Sequence, residues 1–155
     1  KTNAKIYNLE YWNGHLSGSK GYEYEFYIKN KRYTEAENKI TALITNNPIE
    51  PEFYNLKALL ANVRNKPEMS ISNYQKSLEL DPDNQRAHFA IAKIFLSTGD
   101  INQATKHATK ALTLNNKSIY GYLMLADIKL KQNKQQEAEN LLLTAIKKNQ
   151  ENIPQ

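Results

Sequence analysis

The chain has no cysteine, which excludes a disulfide framework, a thiolate zinc site and a thiol nucleophile, though it fixes no compartment. Glycine is scarce, with 5 in 155 residues, and none lies in a phosphate-cradling loop or a GxSxG elbow. No apolar run approaches the ~18 residues that a bilayer span needs, so no membrane insertion is expected of this segment. Arginine is limited to Arg32, Arg64 and Arg86, so the formal net charge of +5 is carried almost wholly by lysine. Readers of bases and phosphates lean on the guanidinium fork. The lysines here alternate with Glu and Asp, as on a solvated helix face, and nucleic acid is not an expected partner.

Histidine is limited to His15, His88 and His107, with no HxxxH spacing for a metal. His88 is expected as a satisfied core histidine, His107 on an outer helix face and His15 in a loop. Asp81 and Asp83 flank Pro82 in a connection, where carboxylates suit the cap of a following helix. No catalytic residue, cofactor or metal ligand is assigned, and the chain is not expected to be an enzyme.

What the sequence does have is a period. Ala36, Ser70, Ala104 and Ala138 recur at one constant interval, and Ser77, Ala111 and Ala145 share it, as do Pro48 and Pro82. The interval holds without insertion and divides the chain into 17–50, 51–84, 85–118 and 119–152. Each unit reads as a helix, a polar turn, a second helix and a polar connection. The inner turns are Asn30-Lys31, Asn65-Lys66, Thr98-Gly99-Asp100 and Asn133-Lys134. Pro48 and Pro82 fall just past second helices, where proline ends a helix cleanly. Alanine on inward positions is then a packing device. Ala92 and Ala104 let two helices approach near the lower end of the about 8–10 Å range of helix packing.

This pattern resembles the tetratricopeptide repeat. The shared features are the 34-residue period, small residues at the eighth and twentieth positions (Ala58 with Ser70, Ala92 with Ala104, Ala126 with Ala138), an aromatic at the eleventh (Tyr27, Phe95) and proline near the thirty-second. The resemblance covers roughly residues 17–152. It implies an all-α, right-handed α-solenoid of antiparallel helix pairs, about four units with an N-terminal helix. Departures are Tyr24 at a small position, Lys20 and Glu23 at apolar ones, which make the first helix of unit one degenerate, and Lys57 in place of leucine.

Residues 4–13 fit either the second helix of an incomplete earlier repeat, with Ile6 and Leu9 in register with Ile40 and Leu43, or a capping helix that lays Tyr7, Tyr11 and Trp12 on unit one. The segment 1–16 is treated as that N-terminal element and 153–155 as a tail. Lys1 follows no apolar leader, so the chain is expected to be a piece or processed product, and any signal or anchor would lie upstream. The localisation, bacterial cytoplasm or periplasm, is left open. The chain stops soon after Asn152 without the extra helix that the resemblance implies. The last helix carries Leu141 and Leu143 where earlier units have polar or histidine side chains. An apolar terminal face of this kind wants a cover, so residues 138–146 are expected to dock on a partner, a second copy (a homo-oligomer through the C-terminal helix) or absent sequence.

At about 100° per residue, positions 4, 7, 8 and 11 of each unit face the second helix, and positions 2, 5, 9, 12 and 13 lie on another face. From that second set, the candidate peptide groove is Asn55, Leu59, Asn62, Arg86, Phe89, Lys93, Tyr120, Leu123 and Asp127. Phe89, Tyr120 and Leu123 are the expected anchors. Leu96 and Leu130 are expected to pack between units, while Arg86 and Lys93 could meet acidic groups. A carboxylate clamp of the kind found in chaperone co-factors of this family is not expected, since Gly21 and Glu25 stand where it wants Lys and Asn, and Asp127 would repel a carboxylate. The expected function is a non-catalytic adaptor or scaffold that binds a protein or peptide segment, with an assembly factor of a bacterial envelope or pilus complex as its narrower form. The alternatives are a structural spacer or self-associating part of a longer array, and an accessory domain fused to catalytic sequence.

Overall fold

The computed structural model describes residues 27–151. Among them lie seven helices and no strand: α1 (Tyr33–Asn46), α2 (Pro51–Val63), α3 (Pro67–Leu80), α4 (Gln85–Thr98), α5 (Ile101–Leu114), α6 (Ile119–Lys131) and α7 (Gln135–Glu151). A helical segment at 27–29 precedes α1. The expectations for residues 1–16, for most of the first helix of unit one including Lys20, Glu23, Tyr24 and Glu25, and for the tail 153–155 lie outside the described residues.

The helix boundaries have local causes. Pro51 and Pro67 open α2 and α3 at the first helical position, where a missing N–H costs nothing. Three later helices are capped by side chains. Asn84 Oδ1 accepts from the Ala87 N–H, Asp100 Oδ1 from the Gln103 N–H, and Ser118 Oγ from the Gly121 N–H. Asn84, rather than Asp81 or Asp83, thus caps α4. Asp81 instead accepts from the Asp83 N–H at 3.2 Å and Asp83 pairs with Lys110 at 3.2 Å. An Asx turn consumes the first carboxylate before the helix begins.

Turns within helix pairs repeat one backbone event. Lys31, Asn65, Gly99 and Asn133 all have positive φ, at 58°, 57°, 90° and 59°, and each holds the same place in its unit. The left-handed residue ends one helix and aims the chain into the next. The fourth residue of each later unit also behaves alike. Tyr54 OH donates to the Pro48 carbonyl at 2.9 Å, His88 Nε2–H to that of Pro82 at 3.0 Å, and Tyr122 OH to that of Asn116 at 3.1 Å. Each polar tip ties a helix back to the connection before it.

Small residues sit where the helices meet. Ala36, Ala58, Ser70, Ala92 and Ala104 are 0% exposed, and Ala126 and Ala138 are 1% exposed. Ser70 Oγ donates to the Ala58 carbonyl at 2.8 Å, a contact that only a close helix approach permits. Lys129, at the position of Phe95, bonds Glu137 across the α6–α7 pair at 2.5 Å. That bond, with Lys134 beyond it, holds the Glu137 carboxyl below its ordinary range.

The chain divides into two compact units, the first ending at Leu80 and the second beginning at Asp81. The first has a core of Ile28, Ala36, Ile40, Leu56 and Leu60. The second is built on Ala92, Ala104, Ala108, Met124, Leu125 and Ile128.

Candidate interaction site

The nine groove residues expected from sequence divide between the units and differ in exposure. In the first unit Asn55 is buried, 2% exposed, with its Nδ2–H donating to Glu52 Oε1 at 3.0 Å. It is therefore not offered to a ligand. Leu59 packs against the core, and Asn62 is exposed. In the second unit Arg86 and Phe89 are half-buried, whereas Lys93, Tyr120, Leu123 and Asp127 are exposed. The helical wheel places side chains around one isolated helix, but a packed helix has several neighbours, so positions equivalent in angle differ in burial.

Within the second unit, α4 and α6 bring two of the expected anchors together. The Phe89 and Tyr120 rings meet edge to face, with centroids 4.9 Å apart and planes at 82°, the arrangement their quadrupoles favour. Gly121 makes room for this. A Cβ there would lie 2.9 Å from Leu112 Cδ1 and 3.4 Å from Phe89 Cζ. Gly121 is not among the expected site residues, although a glycine inside an apolar helix is a recognised sign of close approach. Tyr120 and Leu123 remain 49% and 46% exposed, with Lys93 and Asp127 of opposite charge on the same two helices.

A second feature joins this surface. An open cleft of about 420 Å³ lies between α6 and α7, lined by Ile119, Leu123, Leu142, Ala145, Ile146 and Asn149. Leu142, Leu143 and Ile146 are 38%, 57% and 56% exposed. Of the two leucines expected at the end face, Leu143 is exposed, while Leu141 packs against the core of the unit. Leu142 and Ile146 are additions that the sequence comparison does not single out. They stand one repeat after Ala108 and Leu112, which pack with Met124 and Leu125 of α6 in the core of the unit. Leu130, expected between units, is 50% exposed, whereas Leu96 packs on the core.

His107 also departs from expectation. It faces inward across the α4–α5 pair rather than out. Because the Pro82 carbonyl can only accept, His88 carries its proton on Nε2, and its Nδ1 accepts from the His107 Nδ1–H at 3.0 Å. Phe95 stacks on His107 with centroids 6.2 Å apart and planes at 26°. Burial, then the neighbouring His88 and Lys106, pushes the His107 pKa down to about 4. The pair is a packing element of the hairpin.

Among the described residues no helix is long and apolar enough to cross a membrane. The fold is shared with solved structures. MamA matches with a TM-score of 0.74 at 14% identity, over 83% of this chain and 75% of that one. Another MamA structure, MamA MSR-1 C2, matches at 0.68 and 16% identity, over 82% of this chain and 73% of that one. The Pseudomonas aeruginosa protein pilF matches at 0.74 and 16% identity, over 82% of this chain and 58% of its own. These likenesses establish an all-α helical-repeat solenoid fold. Family models described as tetratricopeptide repeat match residues 51–84, 73–106 and 95–155. With the turns, the buried small positions and the tethered fourth residues repeating in phase, the chain belongs to the tetratricopeptide repeat family.

Proposed function

We propose that the chain is a protein-interaction adaptor whose second unit holds a peptide segment against α4 and α6, with Tyr120 and Leu123 as the apolar anchors. Family membership supports the general role of interaction module, and such repeats are as a rule non-catalytic. The carrying observation is the exposed apolar surface that runs from Tyr120 and Leu123 into the cleft lined by Leu142 and Ile146. Contiguous apolar surface on a folded domain marks an interaction site, and a cleft of this size falls in the range of ligand sites. Lys93 and Asp127 would set the polarity of the bound segment. An assembly factor of a bacterial envelope or pilus complex is the narrower form of this proposal.

The test is the double substitution Tyr120→Ala with Leu123→Ala. Both side chains are about half exposed, so the helical circular dichroism signal and melting temperature should hold while crosslinking to partner protein is lost. Unchanged crosslinking removes the groove. Phe89→Ala is a poorer probe, because Phe89 also packs on the core.

One observation favours the reading of a self-associating or array segment as well. Leu142 and Ile146 present, uncovered, the α7 counterparts of Ala108 and Leu112 in the core formed with α6. If that face joins two copies, Leu142→Lys with Leu143→Lys lowers the molar mass read by light scattering. A wild type that is already a monodisperse monomer ends the self-association reading.

A further inference from the structure

The first unit contains a small hollow that none of the groove residues lines. It measures about 50 Å³, lies among α1, α2 and α3, and is walled by Ile40, Leu60, Ala61 and Met69 with Lys57, Arg64 and Lys66 around it. Its origin can be read against the second unit. Lys57 and Ala61 hold the positions that Ile91 and Phe95 hold one repeat later. There Ile91 is fully buried and Phe95 packs on the core. Replacing an isoleucine by a lysine and a phenylalanine by an alanine leaves α2 and α3 with the same small-residue contact but with less to fill the space beside it.

The charge around the hollow is one-sided. Arg64 Nη1 is paired with Glu37 Oε2 at 3.0 Å. Lys57 is half-buried, and neither Lys57 nor Lys66 has an ion-pair partner among the described residues. Among the described residues, three cations thus face one carboxylate over an apolar floor. A carboxylate entering here would meet opposite charge with part of the water excluded, where the attraction is stronger than in bulk solvent.

We propose that this hollow takes a glutamate or aspartate side chain presented by a protein partner, the carboxylate between Lys57 and Lys66 and its methylene stem on Ala61 and Met69. The volume suits that occupant. At roughly 10–15 Å³ for each water-sized group, about four such groups fit, which a carboxylate with one methylene supplies. The aliphatic floor favours a carbon stem over a fully hydrated inorganic oxyanion, which has no apolar part to bury.

The experiment is a methyl-resolved NMR titration of the full chain with the blocked tripeptide acetyl-Ala-Glu-Ala-amide, its Gln twin and inorganic phosphate. The Ala61 and Met69 methyl signals should shift saturably with the Glu peptide, in the millimolar range, and less as salt is raised. The Gln twin and phosphate should leave them in place. Lys57→Leu, which restores the residue found at Leu125, should weaken the Glu peptide by about tenfold or more, and Lys57→Gln should do the same without adding bulk. The assignment falls if the Glu peptide gives no saturable shift. It falls equally if the Gln twin shifts these methyls as much, if phosphate saturates the hollow as well as the peptide does, or if both Lys57 variants bind unchanged. The Tyr120 and Leu123 variant keeps this hollow intact, so the two sites succeed or fail separately.

Discussion

The α2–α3 and α4–α5 hairpins follow one plan and spend their interiors differently. In both, a pair of fully buried small residues sets the helix approach, Ala58 with Ser70 and Ala92 with Ala104. In both, the first polar tip reaches back to a proline carbonyl, from Tyr54 and from His88. Beside that shared frame, α4–α5 carries Ile91, Phe95 and the His88–His107 pair, and the space is filled. The α2–α3 pair carries Lys57 and Ala61, and a hollow remains. The small residues fix how close two helices come, whereas the large or charged neighbours decide whether the remaining volume serves stability or is left for something else.

The largest effect is expected from breaking what the hairpins share. Ala104→Leu puts an isobutyl group into a fully buried helix contact and should cost roughly 1–3 kcal/mol by urea unfolding. Ala92, Ala108 and Ile91 beside it are also fully buried, so the added group must displace packed neighbours. A cost near zero would mean that Ala104 is not at the closest approach and that the repeat frame has been misread.

The next effect separates the hairpins by pH. The folded pKa of His107 is pushed from 6.5 down to about 4, so the unfolded chain binds a proton at a pH where the folded chain does not. The stability linked to this group is fully present above pH 6.5 and is lost as pH falls toward 4. His107 is half-buried and partly screened, so the loss should be at most about 2 kcal/mol. His107→Gln keeps an N–H to offer His88 and should flatten the slope across that window. A slope that persists in the variant would place the proton uptake elsewhere. The α2–α3 pair, with Asn73 at the position of His107, has no such titration to contribute.

Filling the hollow should make α2–α3 more like α4–α5. Lys57→Leu exchanges a half-buried ammonium without an ion-pair partner among the described residues for an apolar side chain against Ile40 and Leu60, and should raise stability by about 1 kcal/mol. A loss on the same scale would show that the lysine stem already fills the space.

How far these differences are legible in the sequence depends on how local their cause is. The buried alanines and serines, the turns and the prolines past α1 and α3 follow from short-range patterns that repeat, and a period makes each occurrence support the others. The exposed pair Tyr120 and Leu123 is within reach of the same angular argument. Asn55 is not, because whether its face is covered depends on neighbours that a single-helix wheel leaves out, and its amide is held by Glu52. Leu141 and Leu142 show the limit most sharply. A comparison with earlier polar residues points to Leu141 and Leu143, but the telling comparison is of Leu142 with the buried Ala108. Polarity alone points His107 toward solvent, whereas a partner on the facing helix satisfies its Nδ1–H.

The smallest expected difference lies in the turns, where the frame asks for a left-handed residue and each hairpin answers with a different side chain. Asn65 and Asn133 tolerate that conformation through their short amides, Gly99 adopts it without steric cost, and Lys31 has neither advantage. Lys31→Gly should therefore stabilise the protein by about 0.5–1 kcal/mol. Gly99→Ala should destabilise it by a similar amount, purely through the backbone, because an added Cβ at Gly99 meets nothing within 4 Å. Thermal unfolding of the two variants in parallel reads both signs. Equal and opposite shifts would establish that the turns are energetically interchangeable along the repeat. A Gly99→Ala variant as stable as wild type would mean that the α4–α5 turn relaxes out of the left-handed region without loss, and the repeat frame would then rest on the buried small residues and the tethered fourth residues.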